Sequence, residues 1–363
     1  MTKKPDPWFL RYKFLQPLGQ GGMGTVYLAE DLQNNNALCV VKQLNNKNEE
    51  PEEQKEGERL FKREIEILEG LDHRGIVHIF DKHVSKDDYF LVMDYIPGKN
   101  LETVITQYGP FNSEATVEIG IQCCEVLEYL HERNPPVIYR DLKPSNLMLT
   151  PEGEIVFIDF GIARTFMPKQ SATRVVTAGY SPPEQYFGRP ETRSDLYAMG
   201  ATLGHLLTGQ RPKPLSTSSP RLLKHDVLLT LDDLIKRLTA HNPEDRPLNA
   251  REVRYEMYSI YQEIHPDFEI PHEALMALEK LSLVRGVLQS QAFKDKQSAV
   301  GVQQVDRYLQ DRSGEYNSQL QKEYDTTDLQ KLTKNKAASN ERRLNTRPKT
   351  FIERFKSWLS NIR

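Results

Sequence analysis

Cysteine is scarce in this chain. Cys39, Cys123 and Cys124 are three among 363 residues, an odd set without metal-ligand spacing. That excludes a disulfide framework and a Cys-based metal site, and reduced thiols are expected. Long apolar runs are also missing. No stretch of about 18 apolar residues occurs, which excludes an integral helical membrane protein. Glycine and proline, 20 and 22 residues, are too few for a collagen-like repeat. The opening segment Met1-Thr2-Lys3-Lys4-Pro5-Asp6-Pro7 leads into no secretory h-region, so the expected location is the cytoplasm. Internal repeats and a recognisable sensor segment are likewise lacking.

Excess charge of one sign is small overall, −3, but it is unevenly spread. From Lys331 to Arg363 ten Lys or Arg face two Glu, a net of +8, so the preceding 330 residues carry −11. An acidic body with a basic tail does not suit a nucleic-acid-binding domain, although the tail alone suits anionic surfaces. What remains is a soluble composition, 38% hydrophobic and 27% charged, with room for a core.

Residues 14–47 read as short strands. Thr25-Val26-Tyr27-Leu28-Ala29 and Leu38-Cys39-Val40-Val41 are β-rich runs, separated by the turn signal Asn34-Asn35-Asn36. Asn48–Glu58 holds six Glu and one Lys and reads as a solvated loop. Leu60, Phe61, Ile65, Leu68 and Leu71 recur at helical spacing. Two further strands are expected around Val77–Phe80 and Tyr89–Met93. From Pro97 helical patterns dominate, as over Ala115–His131, with short β pieces at Asn146–Leu149 and Ile155–Ile158. A strand-rich small lobe therefore precedes a helix-rich large one. Packing signals weaken after residue 264; residues 273–290 carry one more helical pattern, and residues 311–350 are polar and expected to be flexible.

The chemistry-bearing residues begin with Gly19-Gln20-Gly21-Gly22-Met23-Gly24. A G-x-G-x-x-G pattern also fits a dinucleotide fold, but that motif needs a helix directly after the glycines. Here the chain runs into Val26-Tyr27-Leu28 instead, as in a hairpin whose backbone N–H groups approach phosphates without Cβ clashes. Lys42 ends an apolar strand; Glu64 on the next helix is its candidate carboxylate partner, with Glu66 the alternative. The segment Val137-Ile138-Tyr139-Arg140-Asp141-Leu142-Lys143-Pro144-Ser145-Asn146 then precedes Asp159-Phe160-Gly161. Phosphoryl transfer to a hydroxyl needs a carboxylate near the attacking oxygen, metal ligands for the nucleotide phosphates and a cation over the transferred group. Asp141, the pair Asn146 and Asp159, and Lys143 supply these respectively.

Over roughly Phe14 to Ile264 the sequence resembles the protein kinases, and closely the eukaryotic-like Ser/Thr kinases of bacteria. The resemblance implies an α+β bilobal fold. An antiparallel sheet with one main helix would form the N-lobe (about 14–95) and helices the C-lobe (about 97–264), with residues 265–363 as an extension. It implies ATP in the cleft with Mg2+, Mn2+ being the alternative ion. By matching position Asp141 is the catalytic base, Asn146 and Asp159 bind metal, Lys42 pairs with Glu64, and Lys143 approaches the γ-phosphate. Adenine would meet Leu18, Val26, Val40, Met93 as gatekeeper, backbone groups of Asp94 and Ile96, and Met148; Gly19, Gly21, Gly22 and Gly24 would cover the phosphates. Glu184, in Ser181-Pro182-Pro183-Glu184, should pair with Arg246, and Asp195 should brace the catalytic loop. Three departures are Tyr139 for the usual His, Val40 for Ala, and Pro182 for Ala; none removes a catalytic group. Lys143 and Thr177 match the Ser/Thr form of the family, so the implied acceptors are Ser/Thr hydroxyls of proteins, the chain's own activation loop included.

Thr173, eleven residues before Glu184, stands where the family's activating phosphothreonine commonly lies, with Arg140 and Arg164 matching the cations that hold it. Transient self-association would accompany such autophosphorylation. At the far end, Phe351, Ile352, Phe355, Trp358, Leu359 and Ile362 fall within about 120° of a helical wheel. Docking of 350–363 on its own kinase lobe or a partner protein is the simpler reading, and peripheral attachment to an anionic membrane the alternative. The competing class for the whole chain is a pseudokinase scaffold acting by binding only, against which Lys42, Asp141, Asn146 and Asp159 argue. A small-molecule phosphotransferase of related fold fits less well, because the Glu184 segment and Asp195 belong to the protein-kinase large lobe.

Overall fold

The computed structural model describes residues 7–21, 24–45, 59, 62, 65–85, 88–160 and 177–282. Gly22, Glu64, Arg164, Thr173, the acidic stretch Asn48–Glu58 and the tail helix 350–363 lie outside the described residues.

A five-stranded antiparallel sheet opens the chain: β1 (Tyr12–Gly21), β2 (Gly24–Asp31), β3 (Ala37–Asn45), β4 (Ile79–Val84) and β5 (Asp88–Asp94), in the order β1-β2-β3-β5-β4. The β2–β3 turn falls on the asparagines, and Asn35 and Asn36 take positive φ of 50° and 56°, a conformation Asn tolerates better than most residues. Strand alternation sorts the two faces. Cys39, Val41 and Val92 point into a core shared with Tyr12, Ala29 and Phe90. On the other face the register aligns two rows, Val26–Lys42–Leu91 and Leu28–Val40–Met93. A short helix, α1 (Pro7–Arg11), lies ahead of β1. Its Trp8 stacks on His83 at 4.8 Å and donates Nε1–H to Asp81, which also accepts the Tyr12 hydroxyl at 2.5 Å.

The strand expected around Val77–Phe80 is displaced. Ladder pairing with β5 covers Ile79–Val84, because the residues before it are engaged elsewhere. Val77 N–H donates to Phe157 O at 3.0 Å and Phe157 N–H to Gly75 O at 2.8 Å. The apolar run thus ties the small lobe to the hairpin of the large lobe before entering the sheet. In the helix expected from Leu60, Ile65, Leu68 and Leu71 are buried as the spacing requires.

The larger lobe contains β6 (Lys99–Asn100), α2 (Leu101–Tyr108), α3 (Ser113–His131), β7 (Leu147–Leu149), β8 (Ile155–Phe157), α4 (Pro183–Tyr186), α5 (Thr192–Thr208), α6 (Leu229–Leu238) and α7 (Ala250–Ile264). Asn100, Asn112 and Asn249 cap α2, α3 and α7, each side chain accepting a first-turn N–H. Helix α5 is buried on almost every side and ends at Gly209, φ 69°, where a left-handed residue closes the helix. Helices α3 and α7 pack closely: a Cβ at Gly120 would fall 2.5 Å from Met257 Sδ. The later helical pattern is found over residues 272–282, which belong to a separate unit beginning at Pro271.

Leu127 on α3 is wholly buried. Leu127→Ala should cost about 2–5 kcal/mol, seen as a lower urea midpoint at unchanged slope.

Candidate active site

The site is built on a loop and the hairpin that follows it. Pro144–Asn146 form a single 3-10 turn running into β7, and Ile158 N–H donates to Asn146 O at 3.1 Å, so the two ends of the hairpin are fastened. Asp141 sits just before this turn with both carboxylate oxygens engaged. Thr177 Oγ1 donates to Oδ1 at 2.7 Å, Lys143 Nζ to Oδ2 at 2.9 Å, and Asn146 Nδ2 to Oδ2 at 3.0 Å. Lys143 also reaches Thr177 Oγ1 at 3.3 Å. Residues 34 and 36 positions apart in sequence therefore converge on one carboxylate. Asn146 spends its amide nitrogen on Asp141, which leaves Oδ1 as its oxygen donor.

Across the cleft, Lys42 Nζ lies 2.5 Å from Asp159 Oδ1, joining β3 to the segment after β8. The lysine is 13% exposed and the carboxylate 39%, so Asp159 keeps an open side for a cation. Lys42 shares its sheet face with Val26, Val40 and Met93, which places the expected adenine residues and the lysine on one surface. Met93 is buried, Val26, Val40, Ile96 and Met148 are half-buried, and Leu18 is 49% exposed. Asp94 uses its N–H on His78 O at 3.0 Å, which leaves its carbonyl for a ligand. A side chain at Gly19 would meet no protein atom within 4 Å, whereas a Cβ at Gly24, φ 145°, would fall 1.8 Å from Gln43 O. The first glycine leaves open space, and the second is required by the hairpin itself. Gly21 ends β1 opposite Gly24.

Asp195, fully buried on α5, accepts the backbone N–H groups of Tyr139 and Arg140, each at 2.8 Å, and lies 2.9 Å from His131 Nε2. Arg140 has φ 68°, a conformation that costs a non-glycine residue about 1–3 kcal/mol. Tyr139 packs edge-on between Phe157 and Phe160, with ring centroids 4.8 and 5.0 Å away, as expected of an apolar substitute for His. Burial pushes its phenol well above the ordinary value, so it stays neutral.

Glu184 and Arg246 form a two-pronged pair at 2.7 and 3.0 Å, and Ser194 Oγ donates to Glu184 at 2.6 Å. Burial alone would raise the Glu184 carboxyl, but the bonds from Arg246 and Ser194 prevail and hold it below its ordinary value. Two site residues carry no legible signal in the sequence. Gln185 donates to Arg140 O at 2.9 Å, and His131 reaches Asp195 from the end of α3. Glutamine and histidine in helices are ordinary surface residues until the fold brings them beside a loop.

A β-sheet lobe supplies Lys42, and a helical lobe supplies the braced carboxylate of Asp141 with the side-chain oxygens of Asn146 and Asp159. The chain belongs to the protein kinase family: the model for the protein kinase domain matches residues 12–263. It is similar to the serine/threonine-protein kinase PknA of Nostoc sp., at 36% identity over 261 residues, covering 67% of this chain and 46% of that protein. It is also similar to the serine/threonine-protein kinase PknB of Mycobacterium tuberculosis, at 29% identity, covering 71% of this chain and 44% of the relative. The chain thus spans less than half the length of these relatives. Among solved structures, the Mycobacterium tuberculosis PknI kinase domain superposes with a TM-score of 0.57 at 26% identity, covering 69% of this chain and 96% of that one.

Two outcomes follow for Glu184. At neutral pH Glu184→Gln should destabilise the fold by about 3–5 kcal/mol, since it leaves Arg246 buried without a charge partner. The folded carboxyl titrates below its ordinary 4.5, so the pair's contribution is complete above that pH and is lost as pH falls through the folded value. Urea unfolding at pH 7 and at pH 3.5 should show the wild type losing this contribution and the variant losing less.

Proposed function

We propose that the chain is an ATP-dependent serine/threonine protein kinase that uses a divalent cation. The observation that carries this reading is the Asp141 carboxylate, held at both oxygens by Thr177, Lys143 and Asn146 and faced by the Lys42–Asp159 pair. Such fixation favours a base that accepts a hydroxyl proton in one geometry rather than a mobile surface carboxylate.

The donor set suits Mg2+, which takes one or two protein oxygens and completes its shell with water and phosphate. Asn146 Oδ1 and the open side of Asp159 would hold it. When bound, the cation offsets the negative charge of the nucleotide phosphates. The open space at Gly19 suits phosphate oxygens approaching the β1–β2 hairpin, and Leu18, Val26, Val40, Met93 and Met148 suit an adenine ring, with the Asp94 carbonyl and the Ile96 backbone as polar contacts. Asp141 would take the proton from a Ser or Thr hydroxyl as its oxygen bonds to the γ-phosphorus and the bond to the β-γ bridging oxygen breaks, releasing ADP. Lys143 would lie over the transferred group, and Thr177 would keep base and lysine in register. Protein acceptors include the chain itself, with Thr173 as the activating site.

Asp141→Asn keeps the size of the side chain and removes the base. With Mg2+ and labelled ATP, kcat should fall by about 10²–10⁴-fold while ATP binding persists. Absence of transfer by the wild type to itself and to generic protein acceptors would favour the scaffold reading. Mass spectrometry of the wild-type product should find phosphate on Thr173, and Thr173→Ala should lower activity; full activity of that variant removes Thr173 from the account.

A further inference from the structure

Helix α5 buries a titratable side chain near each end, Asp195 in its first turn and His205 in its last. The two lie about 15 Å apart along the axis. His205 is 3% exposed, and its Nδ1 is 2.6 Å from the hydroxyl of Tyr180. Tyr180 is itself buried and packs against Tyr197 and Ala201. A phenol and an imidazole placed this deeply are each costly to leave unbonded, and here each completes the other.

Two charged groups act on the ring. Glu102 of α2 has Oε2 3.9 Å from Nδ1, and Arg211, mostly exposed, pairs with Glu102 at 2.6 Å. Burial holds the imidazole below its ordinary value, with Glu102 opposing that effect and Arg211 adding to it. Burial likewise pushes the Tyr180 phenol up. Near neutral pH the contact is therefore a hydrogen bond between two uncharged groups. It closes with either ring tautomer, because a phenol can donate or accept.

Tyr180 belongs to the turn that carries Thr177. The N–H groups of Tyr180 and Ser181 both donate to Thr177 O at 3.1 Å, and Thr177 N–H donates to Ser181 Oγ at 3.1 Å. Gln185 Nε2 donates to the same Ser181 oxygen at 3.3 Å. At Gly179, φ 90°, the backbone runs so close to Pro212 that a Cβ would fall 2.2 Å from its carbonyl oxygen. Residues 177–181 thus form one closed unit, and from it Thr177 Oγ1 donates to Asp141 Oδ1 at 2.7 Å. The Tyr180 hydroxyl ties that unit to α5.

We infer that His205 is a positioning residue for phosphoryl transfer: through Tyr180 it holds the 177–181 turn so that the Thr177 hydroxyl stays on the Asp141 carboxylate. The inference rests on Asp141 acting as the base of protein phosphorylation. Helix α5 then supports that base from two sides, with Asp195 fixing the catalytic loop and His205 fixing the turn that faces it. Misplacing a reacting group slows the chemical step without weakening nucleotide binding, so the effect falls on kcat and spares the KM for ATP.

The full chain with Mg2+, labelled ATP and casein as acceptor tests this. Tyr180→Phe removes the hydroxyl and keeps the ring in its packing; it should lower kcat about 10–100-fold with the KM for ATP unchanged. Asn and Leu are similar in size, but only Asn offers a polar atom where Nδ1 stands. His205→Asn should therefore keep a kcat about tenfold above that of His205→Leu, whereas a packing role predicts the reverse. In deuterium exchange read at single amides, Tyr180 and Ser181 should lose protection in Tyr180→Phe and His205→Leu. The Tyr139 and Arg140 amides, held by Asp195, should keep theirs. Exchange needs no activity, so it decides the inference even where the wild type transfers nothing to casein, the result that removes the kinase reading itself. Where His205→Leu fails to fold, Tyr180→Phe carries the test. An unchanged kcat in Tyr180→Phe overturns the inference, as does a kcat in His205→Leu equal to that of His205→Asn. Protection lost equally at Tyr139 and Arg140 also overturns it.

Discussion

One buried carboxylate holds the catalytic loop in a backbone conformation that the loop would not keep alone. Asp195 has no solvent contact and accepts the amides of Tyr139 and Arg140, the second of which has φ 68°. Left-handed backbone at an arginine is unfavourable by itself, and burying a carboxylate is unfavourable unless it is well bonded. Each condition is met by the other. Asp141 follows directly, so its placement toward Thr177 and Lys143 depends on a turn fixed by a helix 55 residues further along the chain.

The rest of the large lobe supports that arrangement. Helix α5, which carries Asp195, is enclosed on nearly all sides, and its start is fastened by Ser194 to Glu184, which is clamped by Arg246. Gln185 closes the circuit by donating to Arg140 O. The braced turn is thus held from α5 through its amides and from α4 through a carbonyl. Rigid positioning of this kind is the contribution a protein makes where the reaction is mainly orientation and electrostatics.

The small lobe solves a different problem, that of placing a cation and an apolar surface on one wall. Antiparallel register does it through the period of two. Val40 and Lys42, two residues apart, share a face, and their neighbours Val26 and Met93 fall beside them, while Cys39 and Val41 are used for the core. Trp8, Arg11 and Tyr12 converge on Asp81 from outside. That buttress was not legible beforehand, because a Trp and an Arg near a chain start carry no periodic signal.

The sequence by itself determined the elements whose cause is local: the strands of alternating apolar residues, the asparagine turn, the buried spacing of Ile65, Leu68 and Leu71, and the chemistry available at Asp141, Asn146 and Asp159. These depend on backbone preferences and on side-chain identity, both of which are written residue by residue. Only the tertiary structure decided what lies against what. It moved the β4 strand onto Ile79–Val84, because Val77 pairs with Phe157 from the other lobe. It also brought His131 and Gln185 to the catalytic loop and paired Lys42 with Asp159 across 117 residues. Contacts of that range follow from how whole elements pack, and packing is a property of the assembled chain that no local stretch of residues encodes.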